Sequence, residues 1–217
     1  MTDTWILDES DGELIVRTGV SGRAARMGHR LTIAMRRWRA TVSWVGDEPT
    51  TGELAVEVSS LEVLRGEGGV KSLSGPEKVL VRSNALRSLD AGRYPAIRFT
   101  AEAFDKTADG YRLTGKLHIR KRSREHVIDV RTEDLGDSWR LTAESAVRQS
   151  DYDVKPYSLL MGSLHVADEV IVSFNAIRAK DGTSPTRIQT CPLMTTPVAA
   201  RRSRRTCQGC VRAPWSI

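Results

Sequence analysis

Cysteine is scarce in this sequence and confined to one end of it. The chain has 217 residues and three cysteines, and all of them lie beyond residue 190, at Cys191, Cys207 and Cys210. Disulfides therefore cannot staple the first 190 residues, which is compatible with a reducing compartment. Cys207 and Cys210 have the spacing of half a zinc site or of a redox pair, but no histidine follows residue 165 to complete it. We expect no metal and no cofactor.

Long apolar runs are also missing. No stretch approaches the ~18 consecutive apolar residues that a membrane-spanning helix needs. The first residues carry five acids by Glu13 and lack the apolar segment of a secretory signal. We therefore expect a cytoplasmic protein.

An excess of charge is missing from most of the chain. The formal net charge of +6 would suggest a polyanion-binding protein if it were spread over the fold. Seven of the 33 basic residues but one of the 27 acidic residues lie in residues 179–217, so residues 1–178 hold 26 of each. Four prolines interrupt that last segment. We predict one domain over residues 1–178 with no specific nucleic-acid partner, and a disordered basic tail over 179–217 capable of a weak polyanion contact.

Strand-type alternation dominates the first 178 residues. Apolar and polar side chains alternate over residues 38–44, 54–58 and 111–119, and several shorter stretches do the same. Turn residues such as Gly46-Asp47 and Asp109-Gly110 separate consecutive strands. The pattern predicts an antiparallel sheet of eight or nine strands, which must close into a barrel or stack as a sandwich to hide its edges. The alternation alone does not choose between the two.

One segment departs from this alternation. Apolar residues recur at helical spacing after Ser74-Gly75-Pro76, at Val79, Leu80, Leu86 and Leu89. Serine or glycine can cap a helix, and proline is tolerated in its first turn. We predict a helix over residues 76–88 that lies on the sheet as a lid or plug.

Several motifs resemble those of a known family. They are Tyr94-Pro-Ala-Ile-Arg-Phe99 after the helix, Leu113-Thr-Gly-Lys-Leu-His-Ile119, His126-Val-Ile-Asp-Val130, Gly28-His29 near the start and Lys155-Pro-Tyr-Ser-Leu-Leu-Met161 near the end. Together they make the chain similar to the YceI-like family of lipid-binding proteins, in what looks like a cytoplasmic, actinobacterial-type branch. The resemblance implies an all-β fold with one inserted helix: an eight-stranded, lipocalin-like antiparallel barrel that holds an isoprenoid or quinone-type lipid.

The resemblance also gives a candidate site. From the residues alone, the inward face of the strands either lines a ligand channel or fills a core, and the resemblance favours the channel. The predicted ligand-binding residues are His29, Trp38, Val42, Phe99, Leu113, Leu117, Tyr157, Met161 and Phe174. We expect the polar end of the ligand at the barrel mouth, near His29, Tyr157 and Arg23.

Two clusters of arginine have two interpretations each. Seven arginines and no acid lie in residues 17–39, and the hairpin after Ile119 carries Arg120–Arg124, where the family usually has a glycine and a proline. Either cluster could bind an anionic head group or form a solvated surface. The histidines at 29, 118, 126 and 165 share no ligand-like spacing, so strand histidines are expected to face solvent.

Three functional hypotheses follow. The leading one is a non-catalytic carrier, monomeric or homodimeric, because no phosphate loop, nucleophile elbow or paired-carboxylate motif supports an enzyme. The second is a packed β-domain whose basic tail contacts nucleic acid or anionic membrane. The third is an enzyme that uses His29 as a base. An open apolar tunnel favours the first hypothesis and a filled lumen favours the second.

Overall fold

Antiparallel strands make up most of the part of the chain that the computed structural model describes, residues 2–69 and 71–180. The strand segments of this part are β1 Thr2–Asp8, β2 Gly12–Ser21, β3 His29–Met35, β4 Trp38–Val45, β5 Glu48–Glu57, β6 Leu61–Gly68, β7 Ala96–Lys106, β8 Gly110–Ile119, β9 Arg122–Asp134, β10 Ser138–Arg148, β11 Ser158–Leu159 and β12 Leu164–Ala179. One α-helix, α1, spans Gly75–Ser88 within it. Short 3-10 turns lie at Ala25–Met27, Val58–Ser60, Gln149–Tyr152 and Leu160–Gly162.

Six of the segments are halves of three long, bent strands. β1 pairs with β4 and β2 pairs with β3, while β4 also pairs with β5 and β3 with β6. Only Arg36 and Arg37 separate β3 from β4, and the 3-10 turn Val58–Ser60 separates β5 from β6. Followed through these bends, eight antiparallel strands pair in succession, and β12 returns to pair with β2. The predicted lipocalin-like class is confirmed, and the three bends together with the short β11, which pairs with β12, account for the twelve segments found in the described residues.

The bends make one half of the sheet flare. β5 pairs with β7, but β6 lies beyond the bend and, within the described residues, pairs with β3 alone. Helix α1 covers the side of the sheet next to β6. The Lys78 ammonium donates to the carbonyl of Leu64 at 2.6 Å, and the Arg82 guanidinium donates to the carbonyls of Leu61 and Ser59 at 2.7 and 2.6 Å. These bonds satisfy backbone carbonyls at the edge of β6, a role that a neighbouring strand would otherwise have.

The start of α1 is fixed by its own residues, as its sequence predicts. The Glu77 carboxylate accepts hydrogen bonds from the Ser74 hydroxyl at 2.6 Å and from the Ser74 backbone N–H at 2.8 Å, and Pro76 lies in the first turn. The bonds from Ser74, with a further one from Lys71, lower the pKa of Glu77 to about 2. The helix over Gly75–Ser88 agrees with the predicted 76–88 to one residue.

Large aromatic side chains fill the other half of the barrel interior. Trp38, which is 3% exposed, meets Phe174 edge-on with ring centroids 5.1 Å apart. Farther along β4, the Trp44 ring lies 4.7 Å from that of Trp5 and 6.0 Å from that of Tyr111. These rings therefore close the barrel at the end farthest from His29.

The last strand runs slightly past the predicted domain boundary. β12 ends at Ala179, and the Lys180 N–H donates to the carbonyl of Asp137 at 3.0 Å. The rest of the predicted tail, including the three cysteines, lies outside the described residues. Among the helices that are described, none has the length and apolar character to cross a bilayer.

Candidate ligand-binding cavity

A cavity of about 410 Å³ occupies the flared half of the barrel. Alternate residues of most strands reach it, such as Leu31, Ile33 and Met35 of β3 and Leu117 and Ile119 of β8, whereas the described residues of β1 and β4 lie outside its lining. The volume is within the usual range for a small-molecule site, about 300–1,000 Å³. The alternation left open whether the inward face of the strands fills a core or lines a channel, and the structure shows both. This face packs together at one end and lines a cavity at the other.

Four of the nine predicted ligand-binding residues line this cavity: His29, Phe99, Leu117 and Tyr157. Four others belong to the inward face but lie outside the lining: Trp38, Val42, Leu113 and Phe174. Their strands carry them toward the closed end, where aromatic rings pack against one another. Period-two alternation gives the face on which a side chain lies, and it does not give the depth at which the interior becomes hollow.

The structure places Met161 and Arg23 outside the cavity. The Met161 side chain is fully exposed, on a 3-10 turn where its own φ is +53°. This turn directs the side chain away from the interior. Arg23 is likewise exposed and does not line the cavity. The expected polar end of the site is thus reduced to His29 and Tyr157.

His29 connects the cavity mouth to the loop before α1. Its Nε2–H donates to the carbonyl of Lys71 at 2.7 Å, and the Lys71 ammonium lies 3.0 Å from the Glu77 carboxylate that caps α1. Gly69 makes this approach possible, because it has a φ of +70° and a Cβ there would lie 2.5 Å from Nε2 of His29. The imidazole therefore helps to fix the loop that leads into α1.

Two histidines that were expected to face solvent line the cavity instead. His126 and His165 both reach it, whereas His118 is exposed as expected. Nε2 of His126 lies 2.7 Å from Oγ of Ser145, close to the point where the pairing of β9 with β10 ends at Val130 and Ala143. Burial lowers the pKa of His126. The sequence carried a signal for this position, since His126 is in phase with Ile128, another residue of the lining.

Neither arginine cluster reaches the cavity. In the first cluster, Arg17, Arg36 and Arg37 pair with glutamates at 2.7, 2.5 and 3.0 Å. In the hairpin cluster, Arg122 pairs with Asp153 at 2.7 Å, and Arg120 donates to the carbonyl of the same residue at 2.5 Å. The hairpin arginines therefore hold the segment that follows β10. In the described residues, no three potential ligands converge on a metal position.

Comparisons with known proteins agree on the fold. The model of the YceI-like domain matches residues 6–177. Among solved structures, Burkholderia cenocepacia BcnA is 16% identical with a TM-score of 0.58, and the match covers 80% of this chain and 99% of that one. A Campylobacter jejuni YCEI protein is 15% identical with a TM-score of 0.51, covering 68% of this chain and 84% of that one. No curated protein sequence matches the chain.

Proposed function

This chain belongs to the YceI-like family of barrel-type binding proteins, and on that premise we propose that it is a non-catalytic carrier of one long apolar lipid. The lipid would be of the isoprenoid or quinone type. The observation that supports the proposal is the cavity itself, which is lined mainly by aliphatic side chains and closed at its far end by aromatic rings. The side chains that line an empty hollow lose packing contacts, and an apolar ligand that fills the hollow restores them and leaves water.

The pose follows from the shape of the interior. The apolar chain points toward Trp38 and Phe174, and the polar end lies in the open half, where His29 and Tyr157 line the wall. Within the described part of the cavity wall there is no lysine, arginine, aspartate or glutamate. Binding therefore rests on apolar contact, with a few neutral polar groups to orient the ligand.

The two other hypotheses have less support. A packed β-domain that acts only through its tail requires a filled lumen, and half of this lumen is hollow. Catalysis by His29 draws no support from the geometry, because the contact described for its imidazole is a structural one, the hydrogen bond from Nε2–H to the Lys71 carbonyl. The cytoplasmic location, the choice between monomer and homodimer and the weak polyanion contact of the tail stay predictions from the sequence.

Native mass spectrometry of the full chain, purified from its own host, tests the proposal. We expect a lipid adduct whose mass is recovered by solvent extraction. A cavity-filling variant, Val81→Trp on the inner face of α1, should lose most of that adduct. The matched control is Val79→Trp, because Val79 lies two residues earlier on the same helix and is 69% exposed. Repeated recovery of an empty barrel, or equal lipid content in the two variants, would refute the carrier.

A further inference from the structure

Asn84 is a buried polar residue on the cavity face of α1. It is 7% exposed and lines the cavity. The side-chain hydrogen bonds of α1 within the described residues involve Glu77, Lys78 and Arg82, and none of them reaches Asn84. A carboxamide carries two N–H donors and an oxygen acceptor, and those of Asn84 stay accessible from the cavity, where a group that enters it can reach them. The arrangement calls for a partner that enters the cavity.

The residues around Asn84 indicate which kind of ligand group would contact it. Ser88 lies one turn farther along the helix and also lines the cavity, so an amide and a hydroxyl share one face. Val81, Ala85 and Leu89 flank them on the same wall. A polar atom of the ligand would therefore meet hydrogen-bonding groups inside an otherwise apolar surrounding.

Charge excludes the strongest anions as that partner. The described cavity wall contains no lysine or arginine, and three arginines of the cluster in residues 17–39 pair with glutamates elsewhere. A phosphate or carboxylate beside Asn84 would be buried without a counter-charge, which is strongly unfavourable. An uncharged oxygen has no such requirement.

We propose that Asn84 donates a hydrogen bond to an uncharged oxygen of the bound lipid, a carbonyl or a hydroxyl, and so selects neutral polar lipids over diphosphates. The inference rests on the proposed carrier function and deepens it. It separates the quinones and free alcohols, which present such an oxygen, from polyprenyl diphosphates of the same chain length.

Three probes with the same fifteen-carbon chain test the selection: farnesol, farnesyl diphosphate and the hydrocarbon farnesene. Each displaces the apolar fluorophore N-phenyl-1-naphthylamine from the delipidated full chain. We expect farnesol to bind at least tenfold more tightly than the diphosphate. Asn84→Leu, of similar size, should weaken farnesol three- to tenfold and leave farnesene unchanged. The control is Asn175→Leu, since Asn175 is exposed on β12.

A second readout covers the folding of the variant. Asn84→Leu removes an unpartnered amide, so the delipidated variant should melt at a higher temperature than the native chain. A lower midpoint would mean that the amide has partners within the protein, and it would overturn the inference. So would an unchanged ratio of farnesol to farnesene affinity, or diphosphate binding as tight as farnesol. If the native chain binds none of the three probes, the carrier function itself fails.

Discussion

Trp38 lies in the packed half of the barrel, beyond the lining of the cavity, and we expect it to limit the depth of the hollow. Its ring is almost fully buried against Phe174, and no group in the described residues accepts from its Nε1–H. Trp38→Ala should cost about 3–5 kcal/mol of unfolding free energy, because a large buried ring is lost and a cavity remains. Trp38→Phe keeps a ring and removes the unpaired donor, so it should cost much less. Chemical denaturation measures both.

The lipid content of the Trp38 variants gives an independent check. Trp38→Ala extends the hollow toward the closed end, so it should retain lipids with longer chains than the native protein does. Mass spectrometry of the extracted lipid reports the chain length. An unchanged chain length in a folded Trp38→Ala protein would show that some other group limits the depth.

His126 makes the folded chain sensitive to acid. Burial lowers its folded-state pKa below the ordinary 6.5, and the unfolded chain keeps the ordinary value. Above pH 6.5 the His126 imidazole is neutral in both the folded and the unfolded chain. His126 therefore adds no pH dependence to the stability in that range. Below that pH the unfolded chain takes up the proton first, and stability falls as the pH drops toward the folded-state pKa.

The thermal midpoint should therefore drop between pH 7 and pH 5, and His126→Gln should reduce that drop. Glutamine cannot take up a proton and still reaches toward Ser145. His118→Gln is the control, because His118 is exposed on β8. An equal effect of the two substitutions would contradict the assignment to His126.

At the scale of elements, Lys78 and Arg82 hydrogen-bond α1 to the edge of β6, while apolar residues of the helix pack on the core. Hydrogen bonds that involve a charged group contribute about 1.5–3 kcal/mol each, and about 1.4 kcal/mol corresponds to a factor of ten. The double variant Lys78→Met, Arg82→Met should therefore release bound N-phenyl-1-naphthylamine at least tenfold faster. Arg87→Met, an exposed change on the same helix, should leave the rate as it is. Equal rates would show that α1 does not control release.

The existence of α1 could be predicted from sequence, but its buried face only in part, since of the four spaced residues Leu86 and Leu89 pack inward. Val79 and Leu80 contributed to the helical spacing, yet both are exposed, and the cavity face is formed by Val81, Ala85 and Asn84. Local caps and spacing decide whether a helix forms, since they act within a few residues. Which side is buried depends on the sheet beneath it.

The strands show the same division between local and distant causes. The sequence correctly predicts that Phe99 and Leu117 face inward, and it does so equally for Leu113 and Phe174, because alternation is a local property. The bends at Arg36–Arg37 and Val58–Ser60 have no such local mark. They arise from closure of the sheet, and they decide which inward residues meet the cavity.

At the scale of the whole molecule, the net charge and the proposed function lie in different parts of the chain. Residues 1–178 are neutral by composition, and the excess of basic residues follows them. Deleting residues 181–217 should leave lipid content unchanged and abolish retention on a heparin column at low salt. Loss of lipid from the shortened chain would instead make the tail part of the binding site.

The aromatic rings at the far end make the barrel a blind tube. A lipid cannot be threaded through it, and a second molecule cannot push the first out from behind. If the chain is the carrier proposed above, unloading is the reverse of loading, through the open half of the cavity where His29 and Tyr157 lie. A carrier of this shape has no built-in direction, and the net flow of lipid is set by the difference in affinity between its donor and its acceptor.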